Sequence, residues 1–87
     1  MTLNKTIQAL SDPSRRKILE LLKKQDMPVN ELAKHFDITA PSLSHHLSVL
    51  RQANLVTFQR QGQSLVYSLN LSVFEEVAKT LLKFFNK

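Results

Sequence analysis

Residues 37–51 read Asp37-Ile38-Thr39-Ala40-Pro41-Ser42-Leu43-Ser44-His45-His46-Leu47-Ser48-Val49-Leu50-Arg51, and this stretch decides the fold. Thr39 is a capping type whose hydroxyl can accept from a backbone N–H of the first turn. Pro41 suits a first turn, where the N–H groups have no helical partner. The pattern predicts a helix over residues 40–53. At about 100° per residue, Leu43, Leu47 and Leu50 cluster on one side and predict the buried face. Directly opposite fall Pro41, Ser44, His45, Ser48 and Gln52, with Ser42 at the exposed N-terminal end and Arg51 at the edge.

Upstream, a short helix is predicted from about Asn30 to Phe36, burying Leu32, Ala33 and Phe36. Asp37-Ile38-Thr39 then turns the chain. Two helices joined by so short a turn, the second opened by a capping Thr, form a helix-turn-helix pattern. Further back, Leu3, Ile7 and Leu10 fall at i, i+4, i+7 and predict an amphipathic first helix. Asp12 and Pro13 open a second helix that runs to about Lys24, with Ile18, Leu21 and Leu22 inward. Gln25 to Pro28 read as a loop.

Downstream, Val56 and Phe58 alternate with polar residues, as do Leu65, Tyr67 and Leu69 beyond Gln61-Gly62-Gln63. The one glycine of the chain sits between two period-2 runs, where a hairpin needs a positive φ. This predicts a wing over residues 56–69, with Phe58 and Tyr67 facing inward. Ser72 is placed to cap a last helix to about Phe85, with Val73, Phe74, Val77, Ala78, Leu81, Leu82 and Phe85 apolar. The expected fold is mainly α with a small β-hairpin. It is a winged helix-turn-helix of about five helices plus a two-stranded wing, forming a single domain over residues 1–87.

Composition narrows the function. Twelve Lys and Arg stand against seven Asp and Glu, a formal charge of +5. Between Ile38 and Phe74 there is no Asp or Glu at all. A surface cleared of carboxylates suits a polyanion, because phosphate contacts supply much of the affinity for DNA. There is no Cys, which excludes disulfides and thiolate metal sites. No segment approaches the roughly 20 apolar residues of a bilayer span, and the first ten residues do not read as a signal peptide. The expected location is cytoplasmic.

The outer face of helix 40–53 is small and polar where a solvated face is normally rich in Lys and Glu. Pro41, Ser42, Ser44, His45 and Ser48 are therefore the candidate base-facing residues, since small side chains allow close approach to base edges. An ordinary solvated face is the alternative. Lys34, His35, Thr39, Arg51, Arg60, Gln61 and Gln63 are the candidate backbone contacts, although a polar hairpin tip also explains the last three. His46 points to the flank of the buried side and reads as a packing or phosphate-contacting residue. Arg15, Arg16 and Lys17 oppose the dipole at the start of their helix. A pair with Asp12 or Glu20, or a contact with DNA, would compensate.

His45 and His46 diverge and cannot chelate one ion as an i, i+4 pair could. Ser44 beside His45 lacks an orienting acid and an elbow, so no catalytic site is expected, and no cofactor or metal. The last helix carries an apolar face too wide for a thin monomer core. Leu3, Ile7 and Leu10 with Phe74, Val77, Leu81, Leu82 and Phe85 are the candidate dimer interface, the alternative being that they complete the monomer core.

Several blocks carry a likeness: Ala9-Leu10-Ser11-Asp12-Pro13-Ser14-Arg15-Arg16-Lys17-Ile18-Leu19, Glu31-Leu32-Ala33, Pro41-Ser42-Leu43-Ser44-His45-His46-Leu47 with Leu50-Arg51, and Arg60-Gln61-Gly62-Gln63 leading to Tyr67-Ser68-Leu69. In order and spacing the chain resembles the ArsR/SmtB-type winged-helix repressors, and within them the short, cysteine-free SdpR-type autorepressors. The resemblance implies a homodimer that represses transcription by occupying double-stranded DNA at an inverted-repeat operator. In SdpR-type relatives a membrane protein captures the repressor, so the resemblance points to a membrane or cytosolic protein that sequesters it, the alternatives being an apolar ligand or no inducer at all. The family's metal ligands do not carry over, because the corresponding positions are Pro28, Asn30, Leu71, Val73, Phe84 and Lys87, not a usable ligand set. A winged-helix protein-interaction module without specific DNA binding is the alternative. An RNA-binding winged helix is a third reading, and it lacks exposed aromatics for stacking on bases.

Overall fold

The computed structural model describes residues 3–86; residues 1, 2 and 87, and with them Lys87 of the ligand positions above, lie outside it. The elements in order are α1 (Leu3–Leu10), α2 (Pro13–Lys24), β1 (Met27–Pro28), α3 (Val29–Ala33), α4 (Ala40–Gln52), β2 (Val56–Gln61), β3 (Ser64–Leu69) and α5 (Leu71–Lys83). The core gathers Ile18, Leu19 and Leu22 of α2, Leu32 of α3, and Leu43, Leu47 and Leu50 of α4, closed by Leu55, Val56 and Tyr67.

Both expected caps of α2 and α4 form. The Asp12 carboxylate accepts from the Arg15 backbone N–H at 3.1 Å, and Thr39 Oγ1 accepts from the Ser42 N–H at 3.2 Å. Each satisfies one donor that the first turn leaves unpaired. Helix α4 ends in a Schellman motif. Asn54 takes φ +60°, Leu55 N–H donates to the Leu50 carbonyl at 3.0 Å, and Asn54 N–H donates to that of Arg51 at 2.9 Å. Leu55 and Leu50 are both fully buried, so the apolar contact that accompanies this motif is buried too. This stop turns the chain directly into the wing.

The sheet differs from the expected two-stranded hairpin. Met27 and Pro28, read as loop, pair antiparallel with Tyr67 and Val66, giving strand order β1-β3-β2. Two residues are too few to show a period, and the pairing is set by tertiary approach. The hairpin itself is in the expected register, Phe58 opposite Tyr67 and Gln61 opposite Ser64. Gly62 takes φ +63° in the two-residue connection. That suits a type II′ turn, in which only the first central residue needs a positive φ.

Four expectations about burial and caps are corrected. Helix α3 ends at Ala33, and Ala33 is exposed while Phe36 is only half-buried; a five-residue helix shows a single face to the core, taken by Leu32. In α2, Leu19 is buried and Leu21 is only partly so. Asn70, not Ser72, occupies the N-cap of α5, without a side-chain bond. Phe58, expected inward, is 40 % exposed. Its ring lies against Tyr67, with centroids 5.4 Å apart.

Candidate nucleic-acid interface

Helix α4 buries Leu43, Leu47 and Leu50 and turns the opposite side outward. Pro41, Ser42, Ser44, His45 and Gln52 are exposed and Ser48 is half-buried. The outer face is therefore brought together as expected from the periodicity. Arg51, in the last turn, is exposed beside it. Between α4 and the wing opens a cleft of about 690 Å³, floored by Leu47, Leu65 and Tyr67 and rimmed by Ser44, Ser48, Arg51 and Gln63. Arg60, Gln61 and Gln63 are exposed at the hairpin end.

The other backbone candidates differ in their engagement. Lys34 is exposed and pairs with Glu31 at 3.1 Å, a surface pair that costs little to break. The His35 ring is exposed, while its carbonyl accepts from Lys17 Nζ at 2.6 Å. Thr39 is committed to its cap. Lys17 also lies over the Phe36 ring, 4.8 Å from its centroid.

The cations at the start of α2 find partners other than the expected Asp12 and Glu20 side chains. Arg15 donates from Nε to the Ala9 carbonyl at 2.9 Å and from Nη2 to that of Gln8 at 3.1 Å. Arg16 donates to the Leu10 carbonyl at 2.7 Å. These are carbonyls at the C-terminal end of α1, where positive charge is favoured. The unfavourable placement at α2 is thus offset by a favourable one at α1. The remaining Arg15 nitrogen, Nη1, lies 3.2 Å from His46 Nδ1, tying α4 to the α1–α2 corner. His46 accordingly packs and is turned away from the outer face.

Asp12 lies at the same corner, 3.8 Å from His46 Nδ1. Its carboxyl is held below its ordinary value of 3.8, chiefly by the Arg15 backbone N–H; partial burial opposes this, and the His46 and Arg15 charges assist it. The His45 and His46 rings are 5.9 Å apart and tilted by 52°. Among the described residues, no group of three or more His, Asp or Glu is placed to hold a metal ion.

The candidate dimer residues divide. Ile7, Leu81, Leu82 and Phe85 are 54, 42, 56 and 80 % exposed. Leu3, Leu10 and Phe74 are half-buried. Val77 is a correction: it is buried within the chain, so it cannot serve as an interface contact. Leu71 and Phe84, which the apolar stripe did not include, are also largely exposed. No helix among the described residues is long and apolar enough to cross a membrane.

Residues 12–57, from the α2 cap to the first wing strand, match the family described as bacterial regulatory protein, arsR family. The chain belongs to the ArsR family. It is 47 % identical over 85 residues to the transcriptional repressor SdpR of Bacillus subtilis (strain 168), covering 98 % of this chain and 94 % of that protein. It is 35 % identical over 79 residues to the arsenical resistance operon repressor of Staphylococcus xylosus, covering 91 % and 76 %. A crystal structure of an ArsR family transcriptional regulator superposes with a TM-score of 0.86 at 33 % identity, covering 93 % of this chain and 84 % of that one. NolR from Sinorhizobium fredii superposes with a TM-score of 0.76 at 31 % identity, covering 95 % and 83 %. This ArsR-family chain is therefore a winged-helix transcriptional regulator and not an enzyme.

Proposed function

We propose that the chain is a homodimeric, sequence-specific DNA-binding repressor that places α4 in the major groove and the wing on the sugar-phosphate backbone. One observation carries this reading. The outer face of α4 is exposed, small and polar, and it lies beside Arg51 and the wing within a stretch free of Asp and Glu. Pro41, Ser42, Ser44, His45 and Ser48 read base edges. Arg51, Arg60, Gln61 and Gln63 contact phosphates, with Lys34, His35 and Thr39 flanking them.

Dimerisation is supported by the exposed apolar side chains of Ile7, Leu81, Leu82 and Phe85. A thin core in a chain of 87 residues favours burying them against a second copy. Two-fold symmetry would set the two α4 helices about 34 Å apart, one turn of duplex, and call for an inverted repeat. Protection mapping on the chain's own promoter, with the stoichiometry of the complex, tests this. Two chains over paired, inverted half-sites are expected. One chain on an unpaired site would overturn the dimeric reading.

A further inference from the structure

We infer that Phe58 is a positioning residue for DNA binding: held by Tyr67, its ring presents the Arg51 guanidinium to a backbone phosphate. The inference rests on the reading that α4 and the wing bind DNA. Arg51 comes from the last turn of α4 and Phe58 from the first half of β2. The guanidinium carbon lies 4.9 Å from the centre of the Phe58 ring. Phe58 in turn sits directly opposite Tyr67 in the sheet, rings 5.4 Å apart and inclined by 35°. Tyr67 is buried and belongs to the core. A ladder therefore runs from the core through a half-exposed ring to a surface cation.

Three points make this a positioning device. A guanidinium over an aromatic face is attracted by the ring quadrupole, while its five N–H groups point outward from the edge. Among the described residues, Arg51 has no carboxylate within 4.0 Å and its side chain makes no hydrogen bond. Its donors are thus held in place but uncommitted, which matches the fork geometry by which arginine takes a phosphate. Finally, Arg51 rims the cleft between α4 and the wing, where a strand of duplex would pass between groove helix and hairpin.

The test is a double-mutant cycle on binding to a mixed-sequence duplex, which isolates the sequence-independent phosphate contribution. Arg51→Gln should weaken binding and flatten its salt dependence by about one phosphate contact. Phe58→Leu should weaken binding about three- to fivefold, and Phe58→Tyr should restore it. In the Arg51→Gln background, Phe58→Leu should have no further effect. Equal losses from Phe58→Leu in both backgrounds would overturn the inference while leaving the DNA-binding reading intact. So would a loss that Phe58→Tyr does not restore, or an Arg51→Gln protein that binds as the parent does. Failure of the parent protein to bind any duplex would overturn both.

Discussion

Two exposed surfaces of this chain depart from an ordinary solvated face in opposite directions. The outer side of α4 lacks both large apolar groups and carboxylates, and presents Ser, His and Pro. The outer side of α5 presents Leu71, Leu81 and Leu82, followed by Phe84 and Phe85 just past its end. A polar, acid-free face gains little from contact with an apolar protein surface and much from a polyanion with donors and acceptors at its base edges. A row of exposed Leu and Phe gains nothing from phosphates and much from exclusion of water. The proposed function assigns the first face to nucleic acid and the second to a second copy of the chain, and the α1–α2 corner, with Arg15 reaching His46, braces α4.

The most severe way to break this comparison is to charge the α5 face. Leu82→Glu with Phe85→Glu should leave the fold intact, because both side chains are exposed. Sedimentation should show a monomer, and operator affinity should fall about a hundredfold or more as the second half-site contact is lost. A persistent dimer would place the interface elsewhere. On the other face, Ser44→Ala with His45→Ala should weaken operator binding about tenfold or more, and scrambled duplex binding within about twofold. Equal losses on both duplexes would remove these residues from base readout. Arg60→Ala should weaken both duplexes a fewfold and flatten the salt dependence by about one; an unchanged slope would take Arg60 off the backbone.

The smallest effect concerns the α1–α2 corner behind α4. Asp12→Ala removes the α2 cap and should cost about 1 kcal/mol of stability at neutral pH. The Asp12 pKa is depressed in the folded state, so its contribution is complete above the ordinary carboxylate value. It is lost as pH falls through the lower folded value. Thermal unfolding should therefore show the parent and variant converging in acid. A difference that persists unchanged at low pH would assign the loss to packing.

Much of this was legible because it rests on local rules. Thr39 and Pro41 marked the start of α4, Leu43, Leu47 and Leu50 its inner side, and Gly62 the hairpin turn. What escaped was set by approach in three dimensions. Met27 and Pro28 become a strand only because Tyr67 and Val66 arrive beside them. Phe58 alternates as an inward residue should, yet with Tyr67 and Arg51 against its ring it stays 40 % exposed. The partners of Arg15 and Arg16 are carbonyls of α1, and carbonyls leave no trace in residue identity. Val77 shares the apolar stripe with Leu81 but turns toward the core, a distinction that a two-stripe pattern does not make.

The most direct test of the central claim is a titration of the purified protein against its own upstream promoter, with scrambled duplex as competitor, at about 0.15 M salt. Saturable binding that survives the competitor is expected and would mark an autoregulatory, sequence-specific repressor. Binding lost equally to scrambled and promoter DNA would contradict base readout by α4 at that site and leave only a basic protein attracted to phosphates.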